Sequence, residues 1–336
     1  MTLIDLNRVV MTDAFDRPIT YLRVSVTDKC NLRCVYCMPE SGLPWLRRDE
    51  VLSYEEIAEI AAAAASVGVR TIRLTGGEPL VRRDLHRLVA AIARVDGIDE
   101  IALSTNGLLL AEQLPALIEA GLTRVNLSLD TLRADRFEEI ARRPGLDIVL
   151  SGIDAALAAG LHPLKINCVV MRGKNDDEIE AFAELTRERA IFVRFIEVMP
   201  VHENLELQRD AYVPSDEILA RVERLGAIAP VAGPGGNGPA RYFAFAGAPG
   251  AIGVISPLSH EYCDRCNRVR LTADGRLRLC LFGDQHIDLR APLRSGASRE
   301  ALAGLLRSAM AIKPERHHLA LGEASSRMRA FSEIGG

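Results

Sequence analysis

The chain has 336 residues, 48% hydrophobic and 26% charged, with a formal net charge of −4. That balance gives no basic footprint for DNA or RNA, and no apolar run approaches the roughly 20 residues that cross a bilayer as a helix. Met1-Thr2-Leu3-Ile4-Asp5 lacks the basic and apolar regions of a secretory signal, so a cytoplasmic location is expected, where clustered cysteines more often bind metal than form disulfides.

Along the chain, short β-rich segments alternate with helical patterns. Strands are predicted at Ile19–Val26, Val69–Thr75, Glu100–Thr105, Thr123–Leu129, Leu164–Val170 and Ile191–Val198. Helices are predicted at Tyr54–Val67, Asp84–Val95, Glu112–Ala120, Arg133–Arg142, Leu150–Ala159 and Asp176–Arg189. Ser53 with Glu56 has the spacing of a capping box, and Gly68, Gly121 and Gly160 read as helix stops. Six βα units in succession predict an α/β fold with parallel strands and right-handed crossovers. An incomplete (β/α)6 TIM-type barrel is the natural closure. A doubly wound open sheet is the rival that periodicity leaves standing.

After about Val198 the rhythm fails. A Gly/Pro loop at 232–239 leads into strands and hairpins, one of them turning at Ala273-Asp274-Gly275, and then a helix at Arg299–Ala311. The expected division is 1–230, a partial barrel with an N-terminal extension, and 231–336, a C-terminal β-containing region ending in Gly335-Gly336.

The 7 cysteines form two triads and an outlier. Cys30, Cys34 and Cys37 share one loop after the first strand; Cys263, Cys266 and Cys280 bracket the hairpin in the C-terminal region. Cys168 lies in a strand and is expected to be a small buried hydrophobe. Structural zinc takes four ligands and iron–sulfur clusters usually take four cysteines. Three thiolates therefore leave a position open.

Other unusual residues collect at the C-terminal ends of the strands, where αβ barrels carry their chemistry. They include Thr75-Gly76-Gly77-Glu78-Pro79, Ser104-Thr105-Asn106-Gly107 and the run from Arg194 to Pro200. Gly76 and Gly77 permit either a close backbone approach to a ligand or a plain βα corner. Arg23, Arg73, Lys165 and Arg194 interrupt apolar strands, which is costly unless each meets an anion. A helix carboxylate would satisfy any one of them. Several directed into one lumen predict a polyanionic, phosphorylated ligand, and Arg268 and Arg270, two apart on one strand face, would extend that cradle.

The spacing Cys30-x3-Cys34-x2-Cys37, with Tyr36 before the last cysteine, resembles the signature of radical S-adenosylmethionine (SAM) enzymes, and Thr75–Pro79 strengthens the match. From about residue 11 the chain is similar to one family among them, the GTP 3',8-cyclases of molybdenum cofactor biosynthesis. Tyr21–Asp28, Cys263-x2-Cys266-Asn267-Arg268-Val269-Arg270, Leu279–Gly283 and the terminal glycine pair carry that resemblance. It implies that Cys30, Cys34 and Cys37 hold a [4Fe-4S] cluster whose fourth iron chelates SAM, with Tyr36, Gly77, Ser128 and Met199 lining SAM. It implies that Cys263, Cys266 and Cys280 hold a second [4Fe-4S] cluster whose open iron meets the guanine. Arg23, Arg73, Ser104, Lys165, Arg268 and Arg270 match GTP-contacting positions, and Arg194 joins them as an addition of our own. Ser104 stands where the family commonly has threonine, so the hydroxyl is kept. The family's glycine tail reaches into the active site, which gives Gly335 and Gly336 a role.

The implied reaction cleaves SAM reductively, takes hydrogen from C3' of the GTP ribose and joins C3' to C8 of guanine, giving 3',8-cyclo-7,8-dihydro-GTP. The implied partners are an electron donor and the next pathway enzyme, cyclic pyranopterin monophosphate synthase, with no nucleic acid or membrane, in a monomer or homodimer. Two rivals remain at this stage. One is a radical-SAM enzyme with an auxiliary cluster acting on a peptide or another small molecule. The other is a non-catalytic zinc or electron-transfer module.

Overall fold

The computed structural model describes residues 10–199, 209–233, 238–317, 319 and 331–335. Six strands fall inside the predicted segments: β1 (Tyr21–Ser25), β2 (Thr71–Thr75), β3 (Glu100–Thr105), β4 (Arg124–Ser128), β5 (Leu164–Val170) and β6 (Ile191–Glu197). Their period of two sends Leu22, Val24, Ile72, Leu74, Leu103, Val125, Leu127 and Ile166 to one face, all of them fully buried. Each such side chain contributes about 1.5–3 kcal/mol by leaving water. The opposite face carries Arg23, Arg73, Ser104, Asn126 and Lys165. A sheet with one apolar face and one cationic face needs helices outside and a polar lumen within.

The crossovers supply those helices: α1 (Tyr54–Ser66), α2 (Leu85–Ala93), α3 (Leu110–Glu119), α4 (Ala134–Ala141), α5 (Leu146–Ala158) and α6 (Ile179–Glu188). The capping box of α1 forms as expected. Ser53 Oγ accepts from the Glu56 amide at 3.2 Å, and Glu56 Oε2 accepts from the Ser53 amide at 2.7 Å. Gly68, Gly121 and Gly160 all take positive φ after their helices. At Gly68 a Cβ would also lie 2.6 Å from Val10 Cα, so no other residue closes that turn without a shift. The fifth helix starts at Leu146, not Leu150, because burial of Leu146 and Val149 extends it back to Gly145.

The strand order β1-β2-β3-β4-β5-β6 is sequential and every neighbouring pair is parallel. A doubly wound sheet reverses its order at a switch point. None occurs here, so the fold is the partial barrel and the open-sheet rival falls.

The C-terminal region adds β7 (Ile228–Val231), β8 (Arg241–Phe245), β9 (Ala251–Ile255), β10 (Arg268–Leu271), β11 (Arg276–Arg278) and β12 (His286–Asp288). Helix α7 (Ser215–Val222) precedes β7 within 1–230, and the helices beyond it are α8 (Arg290–Arg294), α9 (Arg299–Met310) and α10 (Phe331–Ile334). β10 pairs parallel to β1, and β9 pairs parallel to β6. Antiparallel β11–β12 and β8–β7 finish the two sides. The C-terminal region therefore grips both edges of the six-stranded unit in one sheet. Its grip on β1 brings the second cysteine triad, which brackets β10, beside the strand that delivers the first.

Candidate active site

The lumen opens into a cavity of about 1520 Å³, part of it continuous with solvent. Its wall holds Cys30, Cys34 and Cys37, together with Tyr36, Gly77, Ser128 and Met199. It also holds Arg23, Arg73, Ser104, Lys165, Arg194, Arg268 and Arg270. Cys263, Cys266 and Cys280 do not line it, but their neighbours Tyr262, Arg268 and Leu281 do.

The loop carrying the first triad is pinned on both sides. Gly77 N donates to Thr27 O and Glu78 N donates to Lys29 O, both at 2.8 Å. A Cβ on Gly77 would lie 2.3 Å from Lys29 O, and one on Gly76 would lie 2.5 Å from Thr27 O. The glycine pair is thus required by the protein's own backbone, with Gly77 also facing the cavity. On the other side, Tyr36 Oη donates to Asp130 Oδ2 at 2.7 Å, while Val169 N donates to Asp130 Oδ1 at 2.8 Å. Glu78 clasps the next loop, accepting from Leu80 N, Thr105 Oγ1 and Asn106 N.

Burial pushes the Cys34 thiol well up, and the carboxylate of Asp130 and the two companion cysteines push it further. Cys30 rises to about 11 by burial against the Leu32 amide. The donor set fits an iron–sulfur cluster. Three thiols feel one another's charge, and N–H groups of Leu32 and Asn106 approach Cys30 Sγ at 3.4 and 3.9 Å. Among the described residues no group of His, Cys, Asp or Glu side chains is placed to hold a single metal ion. A cubane, larger than one ion, requires thiols set further apart.

The second triad differs at Cys266. Cys263 and Cys266 flank a tight turn in which Cys266 N donates to Cys263 O, and Cys280 follows β11. Arg17 Nη1 donates to Cys263 O at 2.6 Å, and Lys313 Nζ lies 3.6 Å from Cys266 Sγ. Burial opposes ionisation of Cys266, yet Arg268 and Lys313, helped by the Arg268 amide and Arg17, pull its thiol down to about 7. The Asp130 carboxylate thus bears on Cys34 and the cations Arg268 and Lys313 on Cys266, while burial, the neighbouring cysteines and Glu261 push the Cys263 thiol up.

The cations form rows. Arg23 sits in register with Arg270 on one side and Arg73 on the other, so their Cα atoms are spaced by about 4.8 Å per strand. Like charges placed so are destabilising in an empty sheet. Burial holds the Arg23 guanidinium well below its usual range, with Arg270 and Arg73 adding to the effect. Burial, then Arg194, Arg124 and Arg73, bring the Lys165 ammonium down to about 6. Among the described residues no carboxylate pairs with Arg73 or Arg194, and Nε of each lacks a hydrogen-bond partner. The helix-carboxylate explanation fails for these two.

Several residues in or behind the cavity wall were not assigned a role from sequence. Asn167 lies two residues after Lys165 and shares its face, with an Oδ1 that lacks a partner; Asn126, fully buried in β4, lacks partners at both amide atoms. Spacing from Lys165 was the available signal for Asn167. Asp130 and Lys313 carry no such signal. Cys168 is 2% exposed, as expected. In the tail, Gly335 O accepts from Arg270 Nη1 at 2.8 Å and Phe331 lines the cavity; Gly336 and residues 234–237 of the Gly/Pro loop lie outside the described residues.

Two family models match the chain, "Radical SAM superfamily" over residues 24–186 and "Molybdenum Cofactor Synthesis C" over residues 191–319. The GTP 3',8-cyclase of Pelotomaculum thermopropionicum is 51% identical over 327 residues, covering 97% of this chain and 100% of that protein. This chain belongs to the radical SAM superfamily and, within it, to the GTP 3',8-cyclase family. The GTP 3',8-cyclase of Moorella thermoacetica is 49% identical over 326 residues with the same coverage. Among solved structures, Streptococcus suis SuiB has a TM-score of 0.57 at 16% identity, covering 88% of this chain and 69% of that one, a likeness of fold. Enzymes of this cyclase family use SAM and two [4Fe-4S] clusters, which matches two cysteine triads, one in the cavity wall and one beside it.

Proposed function

We propose that this chain cyclises GTP to 3',8-cyclo-7,8-dihydro-GTP in molybdenum cofactor biosynthesis. The observation that carries the reading is the cationic cavity walled by the first cysteine triad and by neighbours of the second, in which Arg73 and Arg194 have no carboxylate partner among the described residues. Cys30, Cys34 and Cys37 would hold the first cluster, with Tyr36, Gly77, Ser128 and Met199 around SAM. When bound, that cluster and SAM supply a hydrogen-abstracting carbon radical.

The chain's own residues orient the substrate. Cys263, Cys266 and Cys280 would hold the second cluster at the guanine. Arg268 lies next to that triad and Arg270 continues into the row with Arg23 and Arg73. A nucleotide with its base at the second triad therefore finds its triphosphate on Arg23, Arg73, Lys165, Arg268 and Arg270, with Ser104 beside them. Arg194 would add a further contact. Fixing both ends of GTP leaves the ribose as the reachable part, which is how positioning lowers a barrier. The tail's Gly335, bonded to Arg270, would close the same space.

The chain would work as two regions, 1–230 for SAM and 231–336 for the auxiliary cluster, as a monomer or homodimer. Reductive cleavage of SAM requires an electron donor as partner, and the product requires a following enzyme, here cyclic pyranopterin monophosphate synthase. No helix among the described residues is long and apolar enough to cross a membrane, and a cytoplasmic location is part of the reading. The deciding test is anaerobic incubation with GTP, SAM and a reductant, followed by product identification. Formation of the 3',8-cyclic nucleotide is expected. SAM cleavage with GTP recovered intact would overturn the assignment in favour of a peptide or another small molecule.

A further inference from the structure

Lys313 follows α9 and is 3% exposed. Its ammonium has two partners among the described residues, Leu279 O at 2.6 Å and Cys266 Sγ at 3.6 Å. Neither is a carboxylate. A buried ammonium without an anion is costly, and breaking or lacking its partner costs several kcal/mol. Lys313 is also absent from the cavity wall, unlike Arg268 and Arg270, so its charge is not directed at the substrate.

The position is built rather than incidental. Arg17, itself 6% exposed and paired with Asp13, donates to Cys263 O at 2.6 Å and to Pro314 O at 2.7 Å. One guanidinium thus ties the Lys313 segment to the turn carrying two of the three cysteines. Lys313 N also donates to Met310 O, fixing the backbone to the end of α9.

We propose that Lys313 is the built-in counter-ion of the auxiliary cluster, a positioning residue that acts through the Cys266 sulfur to raise that cluster's reduction potential. One-electron reduction adds a negative charge to the cluster. A fixed cation and an N–H···S contact stabilise the reduced form more than the oxidised form, and both act on cluster potentials through the ligand sulfurs. At the first triad the surroundings of Cys34 are set by burial and by the Asp130 carboxylate, and the contacts to Cys30 Sγ come from the uncharged N–H groups of Leu32 and Asn106. The proposal rests on the reading of Cys263, Cys266 and Cys280 as cluster ligands.

The test uses the full chain, reconstituted anaerobically, as wild type, Lys313→Met and Lys313→Arg. Iron, sulfide and Mössbauer measurements come first. A wild-type protein with a single cluster would overturn the ligand reading, and the proposal with it. With both clusters present, redox titration followed by EPR, without GTP, reads each potential. The expected result is a negative shift of the auxiliary couple in Lys313→Met, its retention in Lys313→Arg, and no change in the other couple. An unshifted auxiliary couple, or equal shifts of both, would overturn the counter-ion role. If Lys313→Met fails to assemble the second cluster, restored assembly in Lys313→Arg supports the role and failure of both variants overturns it.

Discussion

Tyr36 and Asp130 are joined by a 2.7 Å hydrogen bond that ties the loop of the first triad to the end of β4. Asp130 is 8% exposed and also accepts from Val169 N, so one carboxylate locks the cysteine loop to two strands at once. Removing it leaves a half-buried phenol and a half-buried amide without their acceptor, at about 1 kcal/mol each. We therefore expect Asp130→Ala to unfold earlier and to bind SAM at least about tenfold more weakly, the equivalent of about 1.4 kcal/mol. Tyr36→Phe should show the weaker SAM binding with less loss of stability. Calorimetry of anaerobic protein with SAM, alongside thermal unfolding, reads both. Unchanged SAM affinity in Asp130→Ala would remove it from the site.

The row Arg270, Arg23 and Arg73 gives a second expectation. If the row receives a triphosphate, Arg73→Ala should weaken GTP binding by about 2 kcal/mol, roughly 30-fold, because a charge-assisted contact is lost. Guanosine, which lacks the phosphates, should change little. Arg73→Met keeps the apolar stem and removes a like charge from the row, so the ligand-free protein should unfold no earlier than wild type. Equal losses for GTP and guanosine would contradict the phosphate role.

Lys165 links binding to pH. Burial and the neighbouring cations hold its ammonium down to about 6, against 10.5 in the unfolded chain. Between those values the folded protein binds fewer protons than the unfolded one, so ligand-free stability rises with pH across that window. A triphosphate reverses the local field and favours the charged amine. GTP binding at pH 8 should therefore take up protons, and affinity should fall as pH rises from about 6. Calorimetry in buffers of different ionisation enthalpy measures the uptake. Lys165→Arg, always charged, should bind without it, and uptake that persists in that variant would assign the proton elsewhere.

The strands, the helices and both triads were readable locally, because period-two and period-3.6 patterns and cysteine spacing are properties of neighbouring residues. The cations were readable for the same reason: Arg23, Arg73 and Lys165 stand out against apolar strands. Pairing of β10 with β1 and β9 with β6 was not, since nothing within those segments names a partner so far along the chain. Asp130 stood out only as part of the strand-end run Asn126–Asp130, with no partner legible, and Lys313 was silent for the same cause. An aspartate at a strand end and a lysine after a helix are ordinary until the fold sets one against Tyr36 and the other against Cys266. Gly76 and Gly77 fell between: their need for close approach was legible, but not that the approaching backbone is Thr27–Lys29.

The separation of the two triads should appear as a separation of their losses. Cys34 lies in the loop clamped by Gly77 and Asp130, whereas Cys266 lies in the turn held by Arg17 and Lys313, and among the described residues these supports are separate sets of hydrogen bonds. Cys34→Ala should abolish SAM cleavage while the second cluster assembles. Cys266→Ala should keep the first cluster and its SAM cleavage yet lose GTP turnover. Mössbauer spectra report which cluster is present in each variant, and 5'-deoxyadenosine formation reports SAM cleavage. Loss of both clusters from either substitution would mean that the triads form one cooperative centre, contrary to the independent supports seen here.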